Sequence, residues 1–147
     1  MRFLILNGPN INFLGIREPE IYGGRTYVDL VAYIRERCAA LGAECEFIQS
    51  NHEGDLVDAI QGAYGRTENK IDGIIINPAA YTHTSVAILD ALKGVGLPAV
   101  EVHLSDVTKR ESFRQISYAG MACCGHFIGL GFDGYVEAAK FLLDRLK

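Results

Sequence analysis

Ile71-Asp72-Gly73-Ile74-Ile75-Ile76-Asn77-Pro78 is the stretch on which the fold turns. Ile74, Ile75 and Ile76 are β-branched, suit a strand, and leave no polar side for solvent. A strand wetted on one face alternates apolar and polar residues, so an unbroken run marks a strand covered on both faces. Residues 3–6, 45–48, 99–102 and 127–130 read the same way, which with 71–76 gives five expected strands. Helical spacing fills the intervals. Leu30, Ile34, Cys38 and Leu41 share one face, with Gly42 placed as a C-terminal cap. Leu56, Ile60 and Tyr64 repeat the pattern. Val86, Leu89, Ala91, Leu92 and Val95 form the next stripe, ended by Gly96 and Pro98. Val136, Ala139, Leu142, Leu143 and Leu146 form the last. Strands alternating with helices predict a parallel sheet with right-handed crossovers and helices on both faces. Five strands suit a flavodoxin-like, doubly wound α/β order.

The length of 147 residues fits one catalytic domain, and 49% apolar residues suffice for a packed core. A chain of this size buries roughly 68–70% of its unfolded surface. No apolar run reaches about eighteen residues, so no membrane span is expected. The apolar start gives way to Asn7-Gly8-Pro9, too early for a signal peptide. The net charge is −4 with both signs mixed along the chain, which argues against nucleic acid as a partner. A small anion needs only a few local arginines and stays open. Cys38, Cys45, Cys123 and Cys124 show no metal-binding spacing. Adjacent Cys123 and Cys124 should point to opposite faces of a strand, and reduced thiols in a cytoplasmic protein are the expectation.

Ligands of open α/β sheets bind beyond the carboxyl ends of the strands. Asn7, Gly8, Pro9, Asn10 and Asn12 follow the first strand. Asn77, Pro78, Tyr81, Thr82 and His83 follow the third, and His103, Leu104 and Ser105 the fourth. Polar groups distant in sequence should therefore gather at one edge. Each has an ordinary alternative: Gly8-Pro9-Asn10 as a turn, Thr82, Thr84 or Ser85 as a helix cap, His103 as a structural histidine. His52 should support entry to the second long helix, and His126, read as preceding the last strand, takes no role. The charged run 109–114 reads as an exposed helix face. Residues 11–24 connect a strand to a helix, where about 2–6 residues are usual. This connection carries Arg17, Glu18, Glu20 and Tyr22 and ends in Gly23-Gly24, so it is either a hinged lid or a disordered surface loop.

Asn7-Gly8-Pro9-Asn10-Ile11-Asn12-Phe13-Leu14-Gly15, with Arg17-Glu18-Pro19 and Tyr22-Gly23 after it, resembles type II 3-dehydroquinate dehydratases. Four further stretches agree in order and spacing: 49–54, 76–85, 101–105 and 110–114, followed by Gly129-Leu130-Gly131. The resemblance covers nearly the whole chain. It implies removal of water from 3-dehydroquinate to give 3-dehydroshikimate through an enolate, in the shikimate or quinate pathway, with neither metal nor cofactor. It implies a trimeric unit, commonly assembled into a homododecamer of four trimers.

The resemblance also implies a role for each matching residue. Tyr22 is the base that takes a carbon proton beside a ketone. A free tyrosine, with a pKa of roughly 10, is poor at this near neutrality, and a shift of about 2–3 units needs roughly 3–4 kcal/mol of preference for phenolate. Arg17 matches the cation that supplies it; burial alone would act the other way. Asn77, with an ordered water, holds the enolate oxygen, and Asn10 helps hold that water or the tyrosine. His103 is the general acid for the departing hydroxyl, oriented by Glu101 two residues earlier on the same strand face. His83 and Arg114 hold ring hydroxyls. The Leu104 and Ser105 N–H groups and the Ser105 hydroxyl bind the carboxylate, and Arg110 supports the lid. Asp90 reaches a neighbouring subunit's substrate. Asp106-Val107-Thr108 departs from the usual Asn-Ile-His, and Asp106 is expected to point away from the carboxylate site. Cys123-Cys124 is a second departure. A flavodoxin-like binding module would want a Ser/Thr/Gly phosphate loop where Pro9 and asparagines stand. A metal hydrolase would use His52, His83 and His103.

Overall fold

The computed structural model describes residues 1–16, 19–22 and 24–147, apart from the side chains of residues 21 and 22. Its sheet has five parallel strands: β1 (Arg2–Asn7), β2 (Glu44–Gln49), β3 (Gly73–Asn77), β4 (Ala99–His103) and β5 (Gly125–Ile128). They lie in the order β2-β1-β3-β4-β5, the doubly wound order of the flavodoxin-like fold. Between them run α1 (Pro19–Tyr22), α2 (Tyr27–Ala40), α3 (Glu53–Gly62), α4 (Val86–Val95) and α5 (Asp133–Arg145).

The isoleucine run works as its composition demands. All five residues of β3 are buried. Ile75 joins Phe3, Ile5, Val100 and Val102 in the core beneath α2 and α5. Ile74 and Ile76 point the other way, with Leu4 and Leu6, into the core beneath α3 and α4. Each fully buried Ile or Leu contributes about 1.5–3 kcal/mol, so only a sheet covered on both sides rewards such a run. Cys124 packs against the first core and Cys123 against the second, on opposite faces as expected.

Caps set the helix ends. Thr26 and Asp29 form a reciprocal capping box at the start of α2. Gly42, at φ 80°, takes the left-handed turn after it. Ser85 caps α4 by accepting the Ile88 N–H, and Gly96 ends it. His52 stands at the entry to α3 without a side-chain cap, and its N–H goes to the Ser50 hydroxyl.

Four expectations shift. β3 begins at Gly73 rather than Ile71; a Cβ at Gly73 would meet Leu142 Cδ1 at 3.1 Å, so the sheet lies close against α5 there. β5 runs over Gly125–Ile128 rather than 127–130, since Gly129 at φ 81° turns the chain out of the sheet. His126 therefore lies inside the strand. Tyr64 falls beyond α3 and is exposed, outside its apolar stripe. Residues 109–114 form no α-helix; short 3₁₀ turns at Val107–Lys109 and Ser112–Arg114 replace it.

Candidate active site

The sheet reverses its winding between β1 and β3, and there the loops leaving their carboxyl ends part to leave a cleft. A cavity of about 330 Å³ opens at this place and extends over the end of β4. Asn10, Asn77, His83, His103, Leu104, Ser105, Arg110 and Arg114 all line it, with Pro9, Ile11, Phe13 and Leu14 as an apolar side. Residues spread over more than a hundred positions thus share one hollow.

Close approach of the two loops forms the floor. The Gly8 N–H donates to the Asn77 carbonyl at 2.8 Å. A Cβ at Gly8 would lie 2.3 Å from the Pro78 oxygen, so no other residue fits. Two non-glycine residues on the cavity wall hold positive φ, Asn10 at 69° and Ala79 at 53°. Such conformations cost about 1–3 kcal/mol and persist only where neighbours enforce them. For Asn10 the enforcing groups are visible. Its N–H donates to Asn51 Oδ1 at 3.0 Å, and Gln49 Nε2 donates to the Gly8 carbonyl at 3.1 Å and to Asn51 Oδ1 at 3.2 Å. For Ala79 it is Asn77, whose Oδ1 accepts the Ala79 N–H at 3.1 Å.

That bond also fixes the orientation of the Asn77 amide. Nδ2 donates one hydrogen to the Tyr135 hydroxyl at 3.2 Å, and Tyr135 donates to Asn7 Oδ1 at 2.5 Å. An amide nitrogen has two hydrogens, so a second remains for a ligand. His83 is oriented in a similar way. Its Nδ1 lies 2.7 Å from the Ile116 carbonyl and must donate, which leaves Nε2 as an acceptor. Arg114 is steadied by Glu111 at 2.6 Å through Nε. With Arg110 it gives one side of the cavity positive charge suited to an anion.

His103 is buried, and its Nε2 lies 3.5 Å from Glu101 Oε2. Glu101 does not line the cavity; it sits behind His103, where it also receives the Ser117 hydroxyl and faces His126 Nδ1 at 3.3 Å. Burial pushes the Glu101 carboxyl upward, but His103, Ser117 and His126 together hold it below the usual range. It is therefore an anion under an imidazole. Asp106 turns its carboxylate to Thr108 and stands 3.8 Å from Lys109, so its charge is engaged in its own turn. Tyr27, beside Asn7, shows what burial alone does to a phenol. Its hydroxyl is pushed above the ordinary value, and a hydrogen bond with Asn7 offsets this only in part.

Asp90 is not brought to this cavity. It is exposed on α4, in a shallow hollow with Val57, Tyr64 and Ala87. Arg17 and the Tyr22 side chain lie outside the described residues. His52 does not line the cavity. Among the described residues no three His, Cys, Asp or Glu side chains form a metal-holding group. Sequence reading missed Tyr135 and Ser117, gave His126 no role, and placed Asn7 at the sheet edge without a task, as it did Gln49 and Asn51 within the family strings. A polar residue ending the apolar run of β1 was a signal for Asn7; nothing local marked Tyr135.

Residues 1–143 match the family model described as dehydroquinase class II. The 3-dehydroquinate dehydratase of Clostridium acetobutylicum is 52% identical over 146 residues, 99% of each chain. The catabolic 3-dehydroquinase 1 of Aspergillus terreus is 51% identical, over 98% of this chain and 92% of that protein. The crystal structure of a type II dehydroquinase from Butyrivibrio crossotus superimposes with a TM-score of 0.92 at 50% identity, covering 97% of both chains.

Proposed function

Because the chain belongs to the type II dehydroquinase family, we propose that it dehydrates 3-dehydroquinate to 3-dehydroshikimate by anti elimination through an enolate. The observation that carries this reading is the pairing, in one cavity, of the Asn77 amide, whose Nδ2 has a hydrogen beyond the one given to Tyr135, with an imidazole on His103 that rests on a buried carboxylate. The first group suits an oxyanion and the second suits a leaving hydroxyl. Elimination beside a ketone needs both.

In this mechanism the Tyr22 phenolate removes the proton from the carbon next to the ketone. Arg17 keeps the phenolate ionised. Electron density moves to the carbonyl oxygen, which Asn77 Nδ2 and an ordered water stabilise, with Asn10 beside them. The enolate then collapses to the conjugated enone and expels the hydroxyl group, which takes a proton from His103 and leaves as water. Glu101 stabilises the imidazolium that precedes this step. His83 and Arg114 hold ring hydroxyls; Leu104, Ser105 and the positive side at Arg110 receive the carboxylate. These groups supply every proton and charge the elimination requires, without a metal. Asp90, away from its own cavity, serves the site of a neighbouring subunit in a trimer, four of which form a dodecamer. The enzyme works in the cytoplasm.

Addition of 3-dehydroquinate to the purified protein tests the reading. Ultraviolet absorbance of the conjugated enone should rise in proportion to enzyme. A flat trace from folded, assembled protein overturns the proposal.

A further inference from the structure

Glu101 is only 2% exposed, yet three side chains converge on it. A carboxylate so far from water stays ionised only where its lone pairs are filled. His103 approaches along the same strand, Nε2 to Oε2, at 3.5 Å. Ser117 donates its hydroxyl to Oε2. His126 comes from β5, where it is the register partner of Glu101, and sets Nδ1 3.3 Å from Oε1. Paired residues of adjacent strands project to the same face, so the sheet itself fixes this contact. Backbone closes another side: a Cβ on Gly120 would stand 3.0 and 3.1 Å from the two carboxylate oxygens. Cys123 is the remaining titratable group that feels Glu101. Its thiol is pushed to about 12 by burial and by the neighbouring charge, and so stays neutral.

We propose that His126 is a positioning residue that shares the Glu101 carboxylate with His103 and so sets how firmly His103 keeps the proton it delivers. This rests on the reading of His103 as the general acid. An ionised carboxylate only accepts, so Nδ1 of His126 carries hydrogen; Nε2 of His103 makes no hydrogen bond at its 3.5 Å but stands at ion-pair distance, where the carboxylate favours a proton on it. A neutral His103 then has its lone pair on Nδ1, and it can donate to a leaving group only as the imidazolium. Glu101 favours that imidazolium. The His126 N–H draws off part of the same negative charge, and draws more when His126 is itself charged, because two cations then flank one anion. His103 consequently yields its proton more readily than it would beside an unshared carboxylate. The His126 side chain is 46% exposed, against 5% for His103 and 3% for Glu101. It therefore relays the pH of the solvent to a carboxylate that water does not reach.

The test is the pH dependence of kcat for the assembled wild-type enzyme, His126→Val and His126→Gln. Valine suits a strand and removes the donor; glutamine keeps an N–H donor that does not titrate. With valine, Glu101 belongs to His103 alone, and the imidazolium survives to higher pH. The alkaline limb should rise by about 0.5–1 pH unit, a modest charge effect, with KM nearly unchanged. Glutamine should bring the limb back toward wild type. Superimposed limbs for wild type and His126→Val, or a loss of kcat by one factor at every pH, overturn the proposal. Should the valine variant fail to fold, His126→Ile, which also lacks a donor, replaces it with the same expectation. His103→Gln, assayed in parallel, separates the two readings. Turnover retained in that variant removes the acid assignment itself. An inert His103→Gln beside an active wild type, with an unmoved limb in His126→Val, removes only the role of His126.

Discussion

Tyr22 and Tyr27 stand five positions apart and pose opposite electrostatic problems. The Tyr27 hydroxyl is half-buried, and that burial pushes it upward, offset only in part by a hydrogen bond with Asn7. In the proposed mechanism Tyr22 has to lose its proton, so burial alone would disable it, and Arg17 is assigned to supply the difference. The proposed mechanism therefore predicts that Tyr22→Phe keeps substrate affinity but loses at least about a thousandfold in kcat, the scale of an absent general base. Arg17→Lys should fall comparably, because a compact ammonium does not reproduce the guanidinium fork. Equilibrium binding measured beside steady-state turnover checks both, and substantial turnover in Tyr22→Phe would move the base elsewhere. At this scale the sequence was informative wherever a residue's neighbours are local. Asn77, His83 and His103 follow apolar runs and announce themselves as strand-end groups. Tyr135 does not, since its partners lie 58 and 128 positions away and its own neighbours look like any helix.

At the scale of the element, the decisive feature is how the connection after β1 is closed. Gly15, at φ 82°, presses on the chain where it returns: a Cβ there would lie 2.6 Å from the Arg25 oxygen and 2.9 Å from that of Gly24. Arg25 is itself anchored, its guanidinium 3.7 Å above the Phe132 ring. The two ends of the segment that carries Arg17 and Tyr22 thus meet at one point beside the cavity wall formed by Phe13 and Leu14. Gly15→Ala should part them. The added Cβ meets backbone at a positive-φ position, so stability should fall by about 1–3 kcal/mol or somewhat more and the unfolding midpoint with it, while the sheet and both cores remain. Displacement of the segment by as little as about 1.4 kcal/mol should lower kcat/KM tenfold. Thermal melts and kinetics on the same preparation check this; a lost fold, or unchanged kcat/KM, would contradict it. Strands and long helices were legible because burial on both faces and helical periodicity are written into adjacent residues. The 109–114 run was misread because its charges resemble a solvated helix face. The Asp106 side chain instead caps a tight turn, and Arg114 bends back to Glu111.

For the whole molecule, the role proposed for Asp90 would make the assembly part of the chemistry. It lies on α4, outside its own cavity, and the proposed trimer brings it to a neighbour's substrate. Asp90→Ala and His103→Gln should each be nearly inactive. Unfolded together and reassembled, they should regain activity, because some sites then combine an intact His103 from one chain with an intact Asp90 from another. Rescue should scale with the expected fraction of mixed sites, read by enone absorbance, and no rescue in mixed oligomers would place Asp90 outside the shared site. No residue pattern within one chain could have revealed this; it came from resemblance alone.

Tyr135 adds a dimension of time. Its hydroxyl fixes the Asn77 amide and ties it to Asn7, yet it belongs to α5, which is made directly behind β5 and well after strands β1 to β4. Domains begin to fold from their first-made end during synthesis. A nascent chain can therefore pair strands β1 to β4 while the amide that the proposed mechanism uses for the enolate oxygen is still unset. The docking of α5 is then the event that switches the site on, so competence arrives as one late step rather than by degrees.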